Sequence, residues 1–283
     1  MPDLLVKPYV KWAGGKRQLL PEIKKRLPRD LCNYTYYEPF VGAGAVFFEV
    51  QPKKALINDS NTQLILTYKV IRSNIQELVA ALKVHSLYNN EAYFYRIRSL
   101  DRAPETFYAL SDVEKAARFI YLNKTCYNGL YRVNSKGLFN VPYGRYVNPA
   151  ICDEPSLSAV HAYLVNNDEI VILNGDFADA VKMADDRAFV YFDPPYHGAG
   201  NTHFTKYQAD GFGAGEQARL RDTYAVLTDR GAKCLLSNAD TDYIRELYSD
   251  KRFGIITVTA KRAINSDAAG RGNVNEVLIK NWK

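Results

Sequence analysis

The chain has 283 residues, 47% of them hydrophobic, and a net charge of +6. That length carries a packed core in one large α/β domain or two smaller ones. No run approaches the ~18 apolar residues of a membrane helix, and the N-terminal stretch has no apolar signal-peptide core, so a cytoplasmic protein away from membranes is expected.

Cys32, Cys126, Cys152 and Cys234 lie far apart without a CxxC pair. With four scattered histidines they read as free thiols, and no metal site is expected. Charge is uneven along the chain. Residues 1–70 and 71–150 each hold 11 Lys+Arg against 6 Asp+Glu, whereas residues 151–283 hold 15 against 19. A basic first half suits a polyanionic partner, although ordinary solubility charge gives the same balance.

Lys11-Trp12-Ala13-Gly14-Gly15-Lys16 comes first. Its glycines permit close ligand approach and Trp12 offers a flat face, but the GxxxxGK[ST] spacing of a phosphate loop is missing. Leu19, Leu20, Ile23 and Leu27 predict a helix over 18–27. Tyr34–Tyr37 reads as a strand running into Glu38-Pro39-Phe40-Val41-Gly42-Ala43-Gly44, with a helix from about Ala45. Strand, glycine turn and helix open a nucleotide-binding α/β fold. Phe47 breaks the full GxGxxG, which disfavours a dinucleotide. Ala55–Ile57 is a second strand ending at Asn58-Asp59. Asp59 stands 17 residues after Gly42, where an acid can hold ribose hydroxyls; it could equally cap the helix starting near Asn61.

From about 71 to 150 helical patterns (75–82 and 113–122) alternate with aromatic, polar loops. At the centre are residues 123–134 and 139–146, where Tyr, Arg and Asn crowd a glycine-rich segment. Arginine reads guanine, asparagine reads adenine and aromatics stack on bases; a solvated aromatic loop has the same composition. Strand 170–173 then ends at Gly175-Asp176-Phe177. The apolar run Ala188–Phe192 is stopped by Asp193-Pro194-Pro195-Tyr196, because two prolines cannot continue a sheet ladder. This leaves a carboxylate, a rigid turn and a ring at a strand's C-terminal end, where open α/β sheets bind ligands. Two acceptors there could draw the N–H bonds of an exocyclic amine, with the tyrosine face holding its ring. A plain strand-ending turn fits as well. Residues 197–215 lack periodicity and suit an active-site lid. A helix near 216–228, a strand at 232–236, a helix around Ile244–Tyr248 and a hairpin of 253–259 with 274–279 complete seven strands. The basic loop 261–272 suits phosphate contacts or a plain hairpin tip.

The ordered set KWAGGK, EPFVGAG, IND, NGLYR, VPYGRY, GDF, DPPY resembles the Dam-type DNA adenine-N6 methyltransferases, D12 class, over nearly the whole chain. The resemblance implies an α/β fold: a seven-stranded, mostly parallel Rossmann-like methyltransferase sheet with a terminal antiparallel hairpin. It also implies an inserted helical DNA-recognition domain at 71–150, with 1–70 and 151–283 as the catalytic domain. It assigns Trp12, Lys16, Phe40, Gly42, Gly44, Asp59, Asp176, Phe177 and Asp193 to S-adenosylmethionine, with no metal. Asp193, Pro194, Pro195 and Tyr196 would form the catalytic motif around a flipped adenine. Lys11, Tyr127, Asn128, Leu130, Arg132, Pro142 and Tyr146 would read double-stranded DNA, in 5′-GATC-3′. A monomer is expected. A related target sequence, a catalytically dead DNA-binding relative, and an enzyme acting on protein or RNA amines are the alternatives.

Overall fold

A computed structural model describes residues 6–196, 212–261 and 273–283. Short runs rich in aliphatic and aromatic residues become strands: β1 (Thr35–Glu38), β2 (Ala55–Asp59), β3 (Ile170–Asn174), β4 (Ala188–Phe192), β5 (Lys233–Ala239), β6 (Gly254–Lys261) and β7 (Asn273–Lys280). They form one sheet in the order β3-β2-β1-β4-β5-β7-β6. The first five are mutually parallel, and β7 runs antiparallel to both β5 and β6. All five residues of β4 are buried, as a central parallel strand covered on both faces requires.

Strand order steps one way from β1 to β2 and β3 and the other way from β4 to β5. The reversal falls between β1 and β4, whose register pairs Thr35 with Ala188 and Tyr37 with Val190. Loops leaving the carboxyl ends of such a pair diverge and open a crevice. Here those loops are Pro39–Gly44 and Asp193–Tyr196.

The helices, in chain order, are α1 (Leu20–Lys24), α2 (Ala45–Val50), α3 (Thr62–Ser73), α4 (Ile75–Tyr88), α5 (Glu91–Ser99), α6 (Pro104–Ala109), α7 (Asp112–Thr125), α8 (Glu154–Asn166), α9 (Phe177–Val181), α10 (Ala214–Asp229) and α11 (Asp242–Leu247). The helix expected over 18–27 shrinks to α1. Pro21 sits in its first turn, where a missing N–H costs nothing but where no earlier turn can be hydrogen-bonded through it. Residues Ala214 and Gly215, expected in a lid, belong to α10; the rest of that stretch through 211, and the loop 262–272, lie outside the described residues.

Helix α7 starts with a capping box: Ser111 Oγ accepts from Glu114 N while Glu114 accepts from Ser111 N. Its buried face (Ala116, Ala117, Phe119, Ile120) packs on α3 and α4, and α3 packs in turn on α8. The expected boundary at residue 71 therefore falls inside α3, which joins the helical region to the sheet. Tyr36, Phe47, Phe48, Tyr68 and Phe119 share one hydrophobic cluster that runs through both regions.

Candidate functional site

The turn after β1 is the floor of the crevice. Gly42 has φ +51° and lies so close to Trp12 that an added Cβ would stand 2.8 Å from the indole Cδ1. Only glycine fits that position. Asn58, fully buried at the end of β2, donates to the carbonyls of Pro39 and Gly175, each at 3.0 Å. One amide thus fixes the loops after β1 and β3. Next to it Asp59 accepts from Gly42 N at 3.0 Å and from Asn61 N at 2.9 Å. The cap of α3 is Asn61, whose Oδ1 accepts from Leu64 N at 3.0 Å. The helix-cap alternative for Asp59 is corrected: its carboxylate bridges two loops at the crevice, because Asn61 already serves the helix end. Burial raises the Asp59 carboxyl above its usual range, and the two backbone N–H groups oppose that rise.

Asp193 leaves β4 beside this floor. Its Oδ1 lies 2.7 Å from Lys16 Nζ, the two side chains being 19% and 6% exposed, and 3.0 Å from Ser237 Oγ at the end of β5. Lys16 Nζ also donates to the Gly14 carbonyl at 2.9 Å and sits 4.4 Å above the Tyr196 ring. Desolvation pushes the Asp193 carboxyl upward, while Lys16 and Ser237 pull it back. An amine in this pocket therefore meets a carboxylate, a carbonyl and an aromatic face together. The turn itself is held from behind. Gln217 Nε2 donates to the Pro195 carbonyl at 2.9 Å, and Asn238 Nδ2 donates to Gln217 Oε1 at 3.0 Å. The Tyr196 hydroxyl donates to Glu276 of β7 at 2.5 Å. Pro194 is buried in the same turn.

On the other side of the glycine turn, Phe40 stacks on Phe177 at 5.2 Å, and Phe212 meets both rings. Asp176 caps α9 through Ala178 N and pairs bidentately with Arg219, at 2.8 and 2.6 Å. The hydrogen bonds from Arg219 hold its carboxyl below the usual range. The Arg219 guanidinium also lies 4.1 Å over Phe177.

The 123–146 segment meets the first motif directly. The Asn123 side chain, 1% exposed, accepts from Lys11 N at 2.9 Å and donates to the Lys11 and Gly129 carbonyls. A Cβ on Gly129 would come within 2.4 Å of Lys11 Cδ, so the close approach of these two stretches depends on that glycine. Trp12 stacks on Tyr131 at 5.6 Å, and Lys11 Nζ lies 5.0 Å over Tyr146. Tyr127 N donates to the Pro142 carbonyl and Gly144 N to the Thr125 carbonyl. These bonds bring Tyr127, Asn128, Pro142 and Tyr146 to one loop cluster. Tyr127 is 51% exposed, Pro142 is exposed, and Leu130 and Arg132 are half-buried.

Sequence reasoning therefore named residues that the fold does bring to two neighbouring clusters, one at the sheet edge and one in the recognition segment. It missed the groups that hold them: Asn58, Asn123, Ser237, Gln217 and Glu276. Asn58 sits inside the quoted motif IND and Asn123 opens the segment 123–134, and both could have been found as polar residues in otherwise apolar surroundings. Glu276 has no local signal. Among the described residues no group of three or more His, Cys, Asp or Glu could hold a metal ion, and no helix is long and apolar enough to cross a membrane.

A sheet reversing at β1 and β4, a glycine turn at that point and an Asp-Pro-Pro-Tyr turn beside it describe a Rossmann-like methyltransferase fold. Comparison with known proteins takes this further. A family model for D12 class N6 adenine-specific DNA methyltransferases matches residues 12–264, and the chain belongs to that family. It is 43% identical over 278 residues to type II methyltransferase M1.LlaDCHI of Lactococcus lactis subsp. cremoris, covering 98% of this chain and 96% of that protein. Identity to type II methyltransferase M.MjaIII of Methanocaldococcus jannaschii is 42% over 294 residues, covering 98% and 99%. To the DNA adenine methylase of Escherichia coli it is 34% over 274 residues, covering 95% and 93%.

Proposed function

We propose that this adenine-N6 DNA methyltransferase takes its methyl group from S-adenosylmethionine and places it on a flipped adenine of duplex DNA in 5′-GATC-3′. The observation that carries the reading is the Asp193 pocket, where a carboxylate already holds an amine 4.4 Å above the Tyr196 ring. The donor groups suit the cofactor too. Gly42 leaves backbone space, and each Asp59 oxygen keeps acceptor capacity beyond its one backbone bond, enough for ribose hydroxyls. The faces of Phe40 and Phe177 and the residues Trp12, Lys16, Gly44 and Asp176 complete that side. When bound, the cofactor supplies a sulfonium-linked methyl, an electrophile needing no metal.

The protein's part is binding, orientation and electrostatics. Flipping costs a few kcal/mol of lost stacking and pairing, which the Tyr196 face and the crevice contacts offset. Lys16 Nζ and Ser237 Oγ both meet Asp193 Oδ1, which orients the carboxylate toward an incoming N6. Asp193 and the Pro194 carbonyl then accept the two N6 hydrogens, turning the nitrogen's lone pair toward the methyl group. Little base strength is required, because the proton becomes acidic once the new N–C bond forms. Fixed geometry and preorganised acceptors supply most of the acceleration.

For DNA, Tyr127, Asn128, Leu130, Arg132, Pro142 and Tyr146 of the 71–150 insert, joined by Lys11 of the first motif, would form the reading surface, working as a monomer. Arg132 would pair with guanine O6 and N7, and Leu130 would meet a thymine methyl. The test is kcat/KM on a GATC duplex and on duplexes changed at one base pair. Preference for GATC by about tenfold or more at each position supports the reading. Preference for another tetramer refutes the target but leaves the chemistry standing.

A further inference from the structure

Arg132 and Asn140 face each other across a small hairpin. Asn140 N donates to the Arg132 carbonyl at 3.1 Å, Val133 bridges Phe139, and Asn134 N donates to the Leu138 carbonyl at 2.9 Å. Asn134 Oδ1 closes the turn by accepting from the N–H groups of Lys136 and Leu138. Across this frame Asn140 Oδ1 accepts the Arg132 Nε–H at 2.7 Å.

The returning arm is anchored in the helical region. Phe139 N donates to Asp101 Oδ2 at 2.9 Å, and Arg102 Nη2 donates to the Phe139 carbonyl at 2.8 Å. Asp101 pairs at 2.9 Å with Arg118, their side chains being 6% and 2% exposed. Arg118 in turn donates to the carbonyls of Ile97 and Arg98. A buried ion pair of this kind holds its geometry, since breaking it leaves an uncompensated charge. Position 140 is therefore tied through Phe139 to the packed helices.

We propose that Asn140 is a specificity-positioning residue that orients Arg132 for guanine. The inference rests on Arg132 as a base reader. An arginine side chain loses much rotamer freedom when it is fixed, so holding it in the free protein removes that loss from the binding step. Asn140 on Nε–H ties one side of the guanidinium to the hairpin, and the two terminal nitrogens are the donors that would meet O6 and N7. Asn140 itself need not touch DNA.

The experiment is a double-mutant cycle read as discrimination, the ratio of kcat/KM on GATC to that on a duplex lacking the guanine assigned to Arg132. Asn140→Ala is expected to lower this ratio about fivefold or more while leaving the salt slope of DNA binding unchanged. Asn140→Asp keeps an acceptor for Nε–H and should keep the ratio, even where the added charge weakens DNA binding overall. In the Arg132→Ala background Asn140→Ala should change the ratio no further. A hairpin that simply misfolds lowers all rates together and would not yield this pattern.

Equal loss on every sequence with a shallower salt slope would make Asn140 a phosphate contact and overturn the proposal. A ratio loss that persists without Arg132 would make Asn140 a reader in its own right and overturn it too. If Arg132→Ala alone leaves discrimination intact, the base-reading assignment of Arg132 fails first, and that single variant reveals it.

Discussion

The sheet edge and the 123–146 segment hold their candidate groups on different backbones. Asp193 leaves a strand buried on both faces, and Lys16 and Ser237 meet it within 3.0 Å. Tyr196 and Pro195 are gripped from β7 and α10. The residues of the 123–146 segment sit on turns joined by isolated bridges, with Asn128 and Arg145 at positive φ. There the fixing is done by polar side chains, Asn123 on Lys11 and Gly129 and Asn140 on Arg132. The contrast is in the frame: polar side chains fix both regions, but at the sheet edge they act on a turn leaving a strand buried on both faces, and in the other region on turns without a sheet behind them. Changes at the first region should alter rate on every sequence, and changes at the second should alter choice among sequences.

The largest expected effect is at the sheet edge. Asp193→Ala should lower turnover by about a hundred- to a thousandfold, the range seen when a key preorganised polar group is lost. Calorimetry should still find S-adenosylmethionine bound, within several-fold of the parent affinity. Near-parent turnover would refute Asp193 as the acceptor of the amine. Next comes Asp59→Ala, which removes an acceptor for charge-assisted hydrogen bonds worth about 1.5–3 kcal/mol. Cofactor affinity should fall about tenfold or more by calorimetry. Unchanged affinity with a lower Tm would reduce Asp59 to a loop brace between Gly42 and Asn61.

DNA affinity should fall steeply with added salt, because phosphate contacts release counterions. Titrating a short duplex over a salt series measures this, and a flat response would leave the basic first half without its assigned partner. The smallest effect belongs to His85, stacked on Tyr121 and hydrogen-bonded to the Tyr93 hydroxyl. Burial lowers its pKa from 6.5 to about 4. The folded state thus binds its proton less readily than the unfolded chain. Its contribution is complete above pH 6.5 and is lost as pH falls toward 4. His85→Gln should flatten the fall of Tm across that window by about 2–4 °C, in thermal melts at stepped pH.

Much of this arrangement could be read in the residues. Ala188–Phe192 has the bounds expected of it because an apolar run meets two prolines, and the other strands end within three residues of their expected bounds. Helix α8 gave a start signal in Asp153 and Pro155 that periodicity alone did not reveal. Helix α5 hid its period among tyrosines and arginines. Pro21 shortened α1 for a reason visible in sequence but outweighed by the leucine spacing. The sheet-edge cluster is legible because its motifs end strands whose carboxyl ends share one edge. Their supports were not. Glu276 reaches Tyr196 from 80 residues away, and Ser237 reaches Asp193 only because β5 lies beside β4. Such pairings follow from strand order, which no single stretch encodes.

The most direct measurement of the division between rate and choice compares Glu276→Gln with Arg132→Ala on GATC and single-substitution duplexes. Both variants stay within measurable rates. Glu276→Gln weakens the hold on the Tyr196 ring and should lower single-turnover methylation by about tenfold on every duplex, with discrimination unchanged. Arg132→Ala should lower the rate on GATC most and relax discrimination at its own base pair by about tenfold or more. Uniform loss in Arg132→Ala, or altered sequence preference in Glu276→Gln, would contradict the account.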